Sequence, residues 1–280
     1  MGGGAEREGI LRSVHRNMFL QKLLVFFSTQ IAKVLGNIYI RKYYHLWLAF
    51  LVTFGPLLQF YANPKAIFAK KNNYFNIYFV YSGWGWTCSF LGGFIFLLAY
   101  LSTRRILTAL RHLSRLLVGT LIWFASTETF FFIENITGSC IHPVSEGLLL
   151  NNITNKRECL KEGHQWNGYD ISGHTFLLIY CSFVIVEELH VFYFYLQRGK
   201  PAGVPLHLIF LLNCILLCLW NIMLLITVVY FHQYSEKIVG AAIATVCWHF
   251  TYNIWYRTRW SPGRPGHRLF TKVTFMCKRN

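Results

Sequence analysis

Apolar runs at about residues 46–62, 76–101, 116–134, 173–196, 206–231 and 238–256 alternate along the chain with short polar stretches. Each is long enough for a helix to cross a ~30 Å hydrocarbon core. In lipid only helices and closed barrels satisfy every backbone polar group, and runs this long and uniformly apolar predict helices. The pattern therefore predicts an all-α, polytopic membrane protein with six transmembrane helices and no soluble domain. A further stretch, MFLQKLLVFFSTQIAKVL at 18–35, is interrupted by Gln21, Lys22, Gln30 and Lys33. It reads as an amphipathic helix lying on the membrane surface; a seventh span there would move the N-terminus to the opposite side. The expected organisation is an N-terminal segment 1–45, a membrane domain 46–256 with a loop at 135–172, and a basic tail 257–280. No early apolar core ends in a small-residue cleavage site, so no cleavable signal peptide is expected.

Composition agrees. Hydrophobic residues make up 54% of the 280 and charged residues only 14%, against about 25% charged in soluble domains. The formal net charge of +16 raises the question of nucleic acid, but the distribution answers it. Threading six spans puts 20 of the 27 Lys and Arg residues on one side and seven on the other. An excess of Lys and Arg marks the cytoplasmic side, so both termini are expected in the cytosol, with basic tails against anionic headgroups rather than nucleic acid.

The loop at 135–172 then faces the lumen. It carries two Asn-x-Thr sequons, at Asn135 and Asn152. Asn135 abuts a span, which leaves Asn152 as the expected glycosylation site. Cys140 and Cys159 share this short loop, and in an oxidising compartment two such cysteines pair. The other six cysteines lie in spans or the cytosolic tail, where a small buried hydrophobe is the expected role.

His174 opens the fourth span in YDISGHTFLL, and His232 closes the fifth in VVYFHQYSEK. One passage down and one back returns the chain to its starting side, so the two rings share a membrane face whatever the overall orientation. A histidine pair suits phosphoryl chemistry, with one imidazole attacking phosphorus and the other protonating the leaving oxygen. Asp170 precedes His174 by four residues and Glu236 follows His232 by four; on a helix that spacing shares a face and lets a carboxylate orient a ring. Ser172-Gly173 suggests a turn at the first of these. On spacing alone, polar residues that merely mark the membrane boundary explain the same pattern. Spaced ligand clusters such as H-x-x-H are absent, so no metal or other cofactor is expected. Glu187 and Glu188 sit inside the fourth span, about 20 Å along the helix from His174, too far to join a site at its rim. A lipid-headgroup contact and a structural polar network both remain open for them.

The segments GPLLQFYANPKAIFA, FNIYFVYSGWGWTC, RHLSRLLVGTLIW, GHQWNGYDISGHTFLL and TVVYFHQYSEKIVGA resemble the fat storage-inducing transmembrane (FIT) family, from about residue 43 to 266. The resemblance implies endoplasmic reticulum proteins with six spans and cytosolic termini that support lipid-droplet formation and triacylglycerol storage and bind diacylglycerol and triacylglycerol. It also implies distant similarity to lipid phosphate phosphatases. In those enzymes an S-G-H motif supplies an acid histidine and an S-R-x5-H-x3-D motif the nucleophile. Ser172, Gly173 and His174 match the first motif; His232 and Glu236 match the H-x3-acid part of the second. The activity implied is cleavage of fatty acyl-CoA at its diphosphate, giving acyl phosphopantetheine and adenosine 3′,5′-bisphosphate. Two departures stand out. Ile226 occupies the position of the motif's arginine, and the phosphatases' K-x6-R-P motif is absent. Those cations cradle phosphate, so Lys237, one turn beyond His232, is expected to substitute, with Lys156 and Arg157 as the other lumenal candidates. The functional classes that remain are a membrane hydrolase acting on phosphoanhydrides and a non-enzymatic binder of neutral lipid.

Overall fold

The computed structural model describes residues 3–63, 65–70, 74, 76–142, 155–267 and 269; the sequon at Asn152 lies outside them. The fold is all-α. Its helices are α1 (Gly3–Gly36), α2 (Ile38–Phe54), α3 (Gly83–Thr103), α4 (Ile106–Thr137), α5 (Lys156–Lys161), α6 (Gly173–Leu189), α7 (Val191–Gln197), α8 (Val204–Tyr230) and α9 (Tyr234–Trp248). A two-stranded antiparallel ribbon, β1 (Ser139–Ile141) with β2 (Gln165–Asn167), closes the loop between α4 and α6.

α6 is the axis of the bundle. It has no polar stripe, and a helix apolar all round belongs in an interior; nearly every residue from Thr175 to Leu189 is buried. α3, α8 and α9 pack around it. Outward faces stay apolar, as Leu117, Leu121, Phe124, Phe131 and Phe132 along α4 show, which suits contact with lipid rather than water. With no hydrophobic drive between helices in lipid, polar cross-links and close backbone approach hold them together. The Trp220 indole donates to Thr87 Oγ1 (3.1 Å), the Trp84 indole to Thr120 Oγ1 (2.9 Å), and the Asn213 amide to the Phe90 carbonyl (3.0 Å).

Contacts at the two ends show the up-and-down threading. At one end Tyr81, just before α3, lies against His174 at the start of α6. At the other, Lys200 donates to the Ser102 carbonyl (2.7 Å), joining the α7–α8 turn to the end of α3, and Arg111 donates to the carbonyls of Ser261 and Pro262 beyond α9.

Five helical stretches among the described residues are long and apolar enough to cross a membrane: His15–Gly36, Gly83–Thr103, Ile106–Thr137, Gly173–Gln197 and Val204–Tyr230. This division differs from the hydropathy pattern at several places. The run expected at 46–62 is α2, which begins eight residues earlier because Arg41, a residue that pattern reading leaves outside, pairs with Glu187 (3.2 Å). Pro56 then tightens the chain into a 3-10 turn over Gly55–Phe60, leaving 17 α-helical residues. The run at 238–256 is α9, 15 residues, continued by a π turn at His249–Ile254 and a 3-10 turn at Trp255–Arg257. Conversely, the 18–35 segment, expected on the surface, is part of one continuous helix. Where its packing is seen, it meets the opposite end of the bundle from His174: Ser28 Oγ lies 2.6 Å from His207 Nδ1 near the start of α8, and Gly36 packs against Tyr193 of α7.

α4 also starts ten residues before the apolar run it contains. Arg111 and Arg115, expected in a cytosolic connection, are therefore helical residues, and only Arg104 and Arg105 remain between α3 and α4.

Candidate functional site

The rim near His174 is assembled by a helix cap and by close contact between α6 and α9. Ser172 caps α6: its Oγ accepts from the Thr175 N–H (3.3 Å), the usual work of serine at this position. Its own N–H donates to the Glu236 carbonyl (3.2 Å) in the first turn of α9. Gly240 allows this approach, since a Cβ there would sit 2.7 Å from the Ser172 carbonyl oxygen. Gly173, by contrast, has open space where a Cβ would go, so its place in the S-G-H match is not explained by packing.

His232 lies between α8 and α9 with φ +58. A non-glycine residue in the left-handed region costs roughly 1–3 kcal/mol and persists only where the surroundings demand it. Here the turn delivers the ring to two carboxylates. Glu236 Oε2 is 3.4 Å from His232 Nδ1 and Asp170 Oδ2 is 3.5 Å from the same nitrogen. Glu236 also accepts from the Gln233 N–H (2.8 Å), so helix capping and ring orientation fall to one side chain. Partial burial pushes the Asp170 carboxyl above its ordinary range; His232 and Lys156 act against the shift, Glu134 and Glu236 add to it.

Asp170 thus meets the other histidine from the one expected. Its i, i+4 spacing points to His174, but α6 starts only at Gly173, and Asp170 precedes the Ser172 cap outside the helix. His174 is half-buried, with its ring edge-on to Tyr81 at 5.7 Å between centroids. Lys237 is placed differently from the expectation as well. It is 2% exposed, and its ammonium donates to the Val228 carbonyl (2.7 Å) at the last turn of α8.

The loop beside this rim is stapled. Cys140 and Cys159 are bonded, with their Cα atoms 5.8 Å apart. Lys156 pairs with Glu134 in the last turn of α4 (2.5 Å), the Trp166 indole donates to the Glu134 carbonyl (3.2 Å), and the Tyr169 N–H donates to Thr137 Oγ1 (2.9 Å).

At the opposite end lies a cluster that pattern reading missed. Arg115 forms a bidentate pair with Glu188, both bonds 2.6 Å, with each side chain 2% exposed. Tyr252 donates to the same carboxylate (3.1 Å), and Arg115 also donates to His112 Nδ1 (2.6 Å) and the Gly263 carbonyl (3.4 Å). Of the alternatives open for Glu187 and Glu188, the structural network is the one seen, with Arg41 and Arg115 as partners. A signal was present: Arg115 lies nine residues into α4, and Glu188 nine before the end of α7, so both sit at one depth.

The molecule is thus a polytopic helical membrane protein that carries a histidine–carboxylate cluster at one rim. The profile of the family described as "Fat storage-inducing transmembrane protein" matches residues 64–202 and 197–252, and the chain belongs to that family. It is 51% identical to "Fat storage-inducing transmembrane protein 1" of Bos taurus over 281 residues, covering 100% of this chain and 96% of that protein. The human protein of the same name is 51% identical over 282 residues, covering 100% and 97%. "Acyl-coenzyme A diphosphatase FITM2" of Danio rerio is 40% identical over 210 residues, covering 72% of this chain and 79% of that one. No solved structure matches.

Proposed function

We propose that this protein acts in the endoplasmic reticulum membrane in lipid-droplet formation and triacylglycerol storage by hydrolysing the diphosphate of fatty acyl-CoA at the lumenal leaflet. The observation that carries the reading is His232, its Nδ1 between Asp170 and Glu236 on the same rim as His174. With Nδ1 on the carboxylates, Nε2 is the nitrogen for attack. Nε2 adds to one phosphorus of the diphosphate, the bridging P–O bond breaks, and His174 gives its proton to the departing phosphate oxygen. Water then attacks the phosphohistidine, releasing the second phosphate monoester and restoring the ring. One water is consumed, and acyl phosphopantetheine and adenosine 3′,5′-bisphosphate result. Relatives named acyl-coenzyme A diphosphatase support the substrate class. A rim site leaves the acyl chain in the bilayer and the charged headgroup in water. The test is purified protein with acyl-CoA in detergent, against the His174→Ala/His232→Ala double variant: turnover is expected from the parent only, and equal rates would reject the enzymatic reading.

A second reading, non-enzymatic binding and partitioning of diacylglycerol and triacylglycerol, is favoured by Ile226 and by the engagement of Lys237 with Val228, which leave the phosphate without its expected cations.

Orientation follows the Lys and Arg excess along the sequence, which six spans assign to the side opposite His232. In sealed microsomes, tags at both termini should be digested by added protease and Asn152 should carry glycan. A protected N-terminal tag is incompatible with six spans.

A further inference from the structure

A diphosphate brought to His232 would meet two carboxylates, Asp170 and Glu236, and needs a cation to offset them. Neither the motif's arginine position, 226, nor Lys237, the first substitute expected, supplies one. Ile226 is an apolar residue packed against the core, and the Lys237 ammonium is engaged by the Val228 carbonyl. What stands at the rim instead is Lys156. Its Nζ is paired with Glu134 on the last turn of α4. At the end of the same turn Thr137 Oγ1 accepts the Tyr169 N–H, and the next residue, Asp170, reaches His232. Gly168 keeps this stretch tight on α4, since a Cβ there would lie 2.3 Å from the Glu134 carbonyl oxygen. A connected series of contacts therefore runs from Lys156 through Glu134 and the 168–170 segment to the histidine. Lys156 and Glu134 both contribute to the electrostatic surroundings of Asp170. The staple matters for the same reason. Cys159, fully buried and bonded to Cys140, is three residues from Lys156 and pins α5 to the ribbon.

We propose that Lys156, carried by the disulfide-closed loop and held by Glu134 until a phosphate arrives, is the phosphate-binding cation of this site. The proposal rests on the acyl-CoA reading above. A lysine is a compact point charge with three donors, so it can share its ammonium between Glu134 and a phosphate oxygen. Arg157, next in sequence but exposed, serves as the control.

The experiment uses the full-length protein in detergent and two readouts: turnover of palmitoyl-CoA, and binding of a palmitoyl-CoA analogue whose diphosphate bridge is a non-cleavable methylene. Hydrogen bonds to charged groups are worth about 1.5–3 kcal/mol, so Lys156→Ala should weaken analogue binding and kcat/KM by about ten- to hundredfold. Lys156→Arg should restore most of the loss, and Arg157→Ala should change either readout little. The Cys140→Ser/Cys159→Ser variant should lose analogue binding as Lys156→Ala does. Melting curves confirm that each variant is folded; should Lys156→Ala not fold, Lys156→Gln is measured instead. If folded Lys156→Ala (or Lys156→Gln) binds and cleaves like the parent while His232→Ala is inactive, the role assigned to Lys156 is wrong and the hydrolase reading stands. If the parent neither binds the analogue nor cleaves palmitoyl-CoA, both fall together.

Discussion

His232→Ala is expected to abolish acyl-CoA cleavage and any phosphoenzyme, whereas His174→Ala should slow the reaction by about 10²–10⁴-fold, the usual worth of general acid–base help. The asymmetry follows from the two sites. His232 is the ring that the fold takes trouble to place: its backbone sits at φ +58, and Asp170 and Glu236 both lie on one of its nitrogens. In the proposed mechanism that arrangement leaves Nε2 for attack and would stabilise the positive charge the ring acquires. Without the ring there is no covalent route, and water must attack a crowded, negatively charged phosphorus unaided. In the proposed mechanism His174 supplies only a proton, so the effect of its loss should depend on the leaving group, being largest for poor ones. Rapid quench with phosphorus-labelled substrate separates the two roles. If His232→Ala cleaves acyl-CoA as fast as the parent, the nucleophile assignment is untenable and neutral-lipid binding takes its place.

The second large effect concerns stability. Arg115→Ala or Glu188→Ala should each destabilise the bundle by about 3–5 kcal/mol, because each strands a buried charge whose partner is gone. The pair is buried, bidentate and further bonded to Tyr252, His112 and the Gly263 carbonyl, so removing one partner leaves the other charge buried without its counter-ion. Replacing both together, Arg115→Met with Glu188→Leu, removes the charges without leaving one behind. Apolar replacement of a buried pair is often neutral or better, so the double variant should recover most of the loss. Thermal melting in detergent reads this directly. Single variants as stable as the parent, or a double variant no better than the worse single, would show that the pair is not the coupled unit described. Activity at the distant rim should change only in proportion to folded protein.

The membrane character of the chain is legible in its hydropathy alone, because crossing a bilayer is a property of a local stretch. The apolar runs coincide with α3, α6 and α8 to within a few residues at most ends. They fit α2, α4 and α9 less well: Pro56 cuts α2 short, α9 runs on into a π turn, and α2 and α4 carry charges that a local apolar count leaves outside a span. Arg41 is tolerated in α2 because Glu187 answers it, and Arg115 in α4 because Glu188 does. Hydropathy scores each charge as if it were alone in lipid.

The sequence by itself determined that the chain is a helical membrane protein and that the two histidines share a face. Each of these depends only on composition along the chain and on the parity of crossings. The tertiary structure alone decided that Asp170 turns to His232, that Lys237 is engaged by Val228, and that Glu188 finds Arg115. Those pairings depend on how each helix is rotated about its own axis and how far it slides past its neighbour. Packing sets both, as where Gly240 admits the Ser172 carbonyl and brings the start of α6 against α9. Spacing along one segment carries no record of rotation or register between two.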